Sequence, residues 1–158
     1  MAAALDHCFI KVADGLYYSS VARSTKYKDI AGLYACVASK VPPGSDWVCV
    51  FDCKGLTIKH AGLLDAIRKT VATFETDDSI IGGLRHFVII NAGPIINTGL
   101  DFLLTLLDKR GRDRLAKCGT SPIEIVDLLR KCGVGLEGLR WINRVTAVGV
   151  DDPLPMTM

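Results

Sequence analysis

The chain has 158 residues, enough for one compact domain that buries about two-thirds of its unfolded surface without staples. Hydrophobic residues make up 49% and charged residues 23%, values that exclude a disordered charged tail and fit an ordinary folded domain. A net charge of +2 gives no global reason to expect nucleic acid, so any basic surface has to be local.

In chain order, residues 7–12 and 16–22 read as two short extended segments around the turn pair Asp14-Gly15. From Tyr27 the pattern turns helical, with Ile30, Tyr34, Val37 and Val41 on one stripe, and Pro42, Pro43 and Gly44 stop it. Residues 47–53, WVCVFDC, are apolar on both faces and predict a strand covered from both sides. A helix is expected over 60–75, with Leu63, Ile67, Val71 and Phe74 in register, then a loop over 76–83.

Residues 85–107, RHFVIINAGPIINTGLDFLLTLL, organise the rest. Phe87, Val88, Ile89 and Ile90 form a buried strand, and Asn91, Ala92, Gly93 and Pro94 form the turn after it. With Asn97 or Thr98 as the expected cap of the next helix, Leu100, Leu103, Leu104 and Leu107 share one face, while Phe102 and Leu106 lie well round the cylinder. The apolar arc spans roughly 200°, about twice what packing on one sheet requires, so something else must cover the second face.

Residues 109–117 carry Lys109, Arg110, Arg112, Arg114 and Lys117, the densest positive charge in the chain. Ser121, Pro122 and Glu124 spell a capping box that starts another helix, and Gly133 is its natural end. Residues 141–150 read as a last strand on their aromatic and β-branched content, and 151–158 as a loose tail. The alternation predicts an α/β fold, a single-domain sandwich over 1–150 with a mainly parallel central sheet covered by helices.

Cys8, Cys36, Cys49, Cys53, Cys118 and Cys132 lie mostly inside apolar periodic segments with no CxxC, so they read as reduced core thiols of a cytoplasmic protein. The N-terminal residues lack the pattern of a signal peptide and no 18-residue apolar run occurs, so any membrane contact is expected to be peripheral. No GxxxxGK[ST], GxGxxG, GxSxG or HExxH is present, and neither a nucleophile–base pair nor a metal or cofactor site suggests itself; an enzyme is not expected. Asp52, Lys54 and His60, with Asn91 at the next strand's end, form a candidate polar cluster where open α/β sheets place ligands. The plainer alternative has Asp52 capping the turn after it and Lys54 in solvent.

The segment VCVFDCKGLTIKH, 48–60, resembles the strand, Asp, x, Lys, Gly, Leu, Ser/Thr and His run of CRAL-TRIO lipid-binding domains. Residues 87–107 are similar to that family's "iiNaP" turn and apolar gate helix, 108–119 to its basic strand ending in glycine, and 121–129 to its next short helix. Here Gly93 intervenes before Pro94, Ile95 and Ile96 replace aromatic residues, and the "LP…GG" ending is missing, as in shortened, divergent members. The resemblance implies a lipid or other small hydrophobic ligand between sheet and gate helix, with Leu100, Phe102, Leu103, Leu106 and Leu107 lining or gating the pocket and Ile95 and Ile96 at its mouth. Lys109, Arg110, Arg112 and Arg114 would then meet anionic headgroups at a membrane surface, the alternative being a solvated face. A second reading stays open: the same fold with a closed pocket, binding a protein partner such as a small GTPase or a second copy of itself.

Overall fold

The computed structural model describes residues 9–23, 30–57, 83–106 and 109–156. Strands β1 (Ile10–Ala13), β2 (Leu16–Ser19), β3 (Trp47–Asp52), β4 (Leu84–Ile90) and β5 (Leu115–Lys117) form one sheet in the order β1-β2-β3-β4-β5. The first pair is antiparallel through the Asp14-Gly15 turn, and every later pair is parallel. Gly15 takes a φ of 72°, the left-handed region that the tight turn needs and that glycine adopts without strain. The expected α/β sandwich is thus present, with its strands in sequential order.

That order decides where cover comes from. Right-handed crossovers between successive neighbours all pass over the same face of a sheet, so β2→β3 and β4→β5 place their helices together. On that face, Val37 and Val41 from helix α1 (Ile30–Lys40) and its end pack with Phe9, Tyr17, Trp47, Cys49 and Leu84. The rings of Phe9 and Tyr17 stack at 5.1 Å, and both meet Trp47 edge-on. Helix α2 (Pro94–Leu106) lies over the same face, because Lys117, which pairs with Ile89 in the β5–β4 register, reaches Asn97 and Asp101 on it.

Crossovers alone would leave the opposite face bare. It is covered by α4 (Pro122–Lys131) and α5 (Leu136–Ala147), which follow the short helix α3 (Lys109–Arg114) and β5. Val12, Leu16, Tyr18, Val50, Val88 and Ile90 from the sheet pack there with Ile125, Leu129, Leu139, Trp141, Ile142 and Val145. Gly138 lets α5 come close: a Cβ at that position would run into the Leu16 side chain and Val134. The turn between the two helices is a Schellman motif, in which Gly133 N–H donates to the Arg130 carbonyl and Val134 N–H to that of Leu129, with Gly133 at a φ of 84°.

Four expectations change. Residues 141–150 are not a strand: Gly138, Trp141, Ile142 and Val145 have helical spacing, and their bulk fills the bare sheet face rather than an edge. Helix α2 starts at Pro94, three residues before the expected cap; Gly93 is the residue before it, and Asn97 N–H already bonds to the Gly93 carbonyl. The Ser121 capping box does not close, since Ser121 precedes α4 but makes no side-chain cap bond, leaving Pro122 to set the start. The basic run is mainly helix, and the strand after it is confined to Leu115–Lys117. The helix expected over 60–75, with Leu63, Ile67, Val71 and Phe74, lies outside the described residues, as do His7 and Cys8.

Beyond α5 the chain is tied back. Arg23 donates to the carbonyls of Val150 and Asp152 at 3.0 and 2.9 Å, and the Trp141 indole N–H to the Met156 carbonyl at 3.0 Å.

Candidate functional site

The carboxyl ends of β3 and β4 carry the polar side chains that the sequence singled out. Asp52 ends β3 and is 1% exposed. A buried carboxylate has to be fully hydrogen-bonded, and this one is: Oδ2 accepts from the Tyr18 hydroxyl at 2.6 Å, and Oδ1 from Lys54 N–H and from Asn91 Nδ2, both at 2.9 Å. Burial, with the Asp52 carboxylate beside it, pushes the Tyr18 phenol far up, so it stays a donor.

The structure joins the two alternatives for this cluster. Asp52 does cap the turn after β3, through Lys54 N–H, and Gly55 at a φ of 88° completes that turn. The Lys54 ammonium is not in solvent: it donates to the carbonyls of Thr146 and Val148, neutralising the C-terminal end of α5 from across the sheet. Asn91 at the end of β4 has a φ of 57°, a left-handed conformation that asparagine tolerates better than most residues. Its backbone N–H bonds to the Gly119 carbonyl and that of Ala92 to Cys118, so the turn is held from β5 as well. His60 lies outside the described residues.

Beside the cluster opens a cleft of about 510 Å³, lined by Cys53, Lys54, Gly55, Leu56 and Asn91, by Gly93, Pro94, Ile95 and Ile96 at the start of α2, and by Thr120 and Thr146. A smaller cavity of about 70 Å³ lies between α4 and α5 and shares Asn91, Thr120 and Thr146. Ile95 and Ile96 line the cleft. Leu100 is 1% exposed and packed inward. Phe102 is 68% exposed and Ile95 76%; seven residues apart, they share one outward stripe of α2. Nothing is described of the Leu103 and Leu106 side chains or of Leu107.

Past α2, Lys109 and Arg112 are exposed and Arg114 is half-buried; the Arg110 side chain is outside the described set. Lys117 points under α2, its ammonium 2.6 Å from Asn97 Oδ1 and 2.9 Å from Asp101 Oδ1. Cys49 and Cys53 are buried, and burial pushes both thiols up to about 12. Cys118, half-buried near Glu124, is pushed up to about 11. These are inert, protonated thiols at neutral pH.

Sequence reasoning missed Tyr18, Thr120 and Thr146. Tyr18 lies in a strand buried on both faces, and nothing local pairs it with a residue 34 positions away. Thr146 sits in the segment misread as a strand.

A mainly parallel sheet between two helical layers makes this an α/β sandwich, a class in which ligands usually sit at the strands' carboxyl ends. The chain belongs to the CRAL/TRIO domain family, whose model matches residues 32–131. That membership points in general to the binding of lipophilic ligands. A search of curated proteins finds no match to the chain. Among the described residues no helix is long and apolar enough to cross a membrane.

Proposed function

We propose that the protein binds a lipid or similar apolar molecule in the cleft between the carboxyl ends of β3 and β4 and the start of α2. The observation that carries this is the cleft itself: about 510 Å³ lies within the usual range for small-ligand sites, and Leu56, Pro94, Ile95 and Ile96 give it an apolar wall with few polar groups. The reading assigns binding, not catalysis: Asp52 and Lys54, the charged groups nearest the cleft, are engaged in holding the fold. Native mass spectrometry of gently purified protein tests it. The expected spectrum shows the chain with a co-purified lipid mass that organic extraction removes; a spectrum with only bare chain or its dimer overturns it.

One observation favours an added contact with a membrane. Ile95 and Phe102 project outward from α2, and the cations Lys109 and Arg112 follow on α3. Apolar side chains beside exposed cations suit a surface of anionic lipid, each cation near it contributing about 1 kcal/mol. The outward stripe also supports the alternative of a protein partner, which vesicle binding separates.

A further inference from the structure

Asn91 fixes what kind of polar group a ligand in the cleft can carry. Its side-chain amide has one donor end and one acceptor end, and the buried Asp52 carboxylate is an acceptor only. The Nδ2 end must therefore face Asp52, and the Oδ1 end must face away from it. Among the described residues no donor reaches that Oδ1, while the residue lines both the 510 Å³ cleft and the 70 Å³ cavity behind it. The position is rigid: the backbone bond to Gly119 on one side and the carboxylate on the other hold both ends of the residue. Thr120, exposed on the same wall, brings a hydroxyl that can donate or accept.

We propose that Asn91 presents Oδ1 to the cleft as a fixed acceptor, and that the ligand is an apolar molecule ending in a hydroxyl, a lipid alcohol rather than a fatty acid. The inference rests on the proposed lipid-binding cleft. An alcohol donates its proton to Asn91 Oδ1 and accepts from the Thr120 hydroxyl. A carboxylate has nothing to donate to Oδ1. The Lys54 ammonium, which would otherwise attract an acid, is turned toward the C-terminal end of α5, where two of its three protons go to the Thr146 and Val148 carbonyls. Asp52 behind the amide adds negative charge against a second carboxylate.

Delipidated full-length protein titrated with a fluorescent sterol, with the methyl ether of the same sterol and with a fluorescent fatty acid of similar length provides the test. The alcohol is expected to bind roughly three- to tenfold more tightly than its ether, the value of one hydrogen bond to a neutral acceptor, and more tightly than the acid. In Asn91→Gly, which keeps the left-handed backbone but removes the amide, the preference for alcohol over ether should disappear, whatever the change in the affinity they share. Equal binding of alcohol and ether by the unaltered protein overturns the proposal but leaves the lipid cleft standing, as does tighter binding of the acid. Absence of binding by all three probes, with no lipid in the native mass spectrum, removes both.

Discussion

Asp52 ends β3 and Asn91 directly follows its parallel neighbour β4, and the Asn91 Nδ2 donates to Asp52 Oδ1 at 2.9 Å. That bond ties the turn that launches α2 to the turn that reaches for α5. The helix at the cleft and the helix on the opposite face are thus referred to a single buried carboxylate.

Removal of Asp52's partners should therefore be costly in proportion to what is left orphaned. Tyr18→Phe deletes a hydroxyl bonded to a charged group and is expected to lower stability by about 1.5–3 kcal/mol in urea unfolding. Asp52→Ala strands three donors at once and should cost more than Tyr18→Phe. An Asp52→Ala protein as stable as the parent would show that the carboxylate organises nothing.

The two faces of α2 should separate cleanly. Leu100 is fully buried, so Leu100→Ala is expected to cost about 2–5 kcal/mol. Phe102 is mostly exposed, so Phe102→Asp should stay within about 0.5 kcal/mol of the parent while reducing sedimentation with vesicles of anionic lipid. Unfolding of Phe102→Asp would mean that the outward stripe is core.

Lys117 fastens α2 to the sheet edge through Asn97 and Asp101. Its replacement by methionine keeps the stem and removes the bonds, a loss of roughly 1 kcal/mol. Hydrogen exchange should report this locally, with α2 amides near Leu100 exchanging about fivefold faster and α5 amides near Ile142 unchanged. Equal acceleration in both helices would place the effect in global stability instead.

The buried thiols set an alkaline limit. Cys49 and Cys53 titrate at 9.0 in their ordinary state and are pushed up to about 12 by burial. Between those values the native state keeps protons that the unfolded chain has lost, so stability is full below pH 9 and falls as pH rises, by about 1.4 kcal/mol per unit per thiol. Urea midpoints between pH 8 and 11 should decline on this account, and Cys49→Ala with Cys53→Ala should flatten the decline while lowering the value at pH 8. Thiol labelling of native protein should reach the half-buried thiols Cys36, Cys118 and Cys132 before the buried Cys49 and Cys53.

Much of the site was legible in the residues. Asp52 and Lys54 stood out as charges ending an apolar strand, Asn91 as a turn residue after another, and Ile95 and Ile96 as apolar residues where a helix begins. Their partners were not legible. Tyr18, Thr146 and Val148 lie 34, 92 and 94 positions from the groups they bind, and no local pattern encodes such a pairing.

The sequence by itself determined the elements whose signal is local: continuous apolar β3 and β4, the Asp14-Gly15 turn, the Pro42-Pro43-Gly44 stop and the Gly133 helix end. It also carried the family, through motifs in order along 48–129. Only the tertiary structure decided what residues 136–147 are. Their aromatic and branched side chains suit a strand as well as a helix, and the choice falls to helix because sequential right-handed crossovers leave one face of the sheet bare. Once α5 lies there, its C-terminal carbonyls need a donor, and Lys54 takes a structural task that its own neighbours in the chain do not reveal.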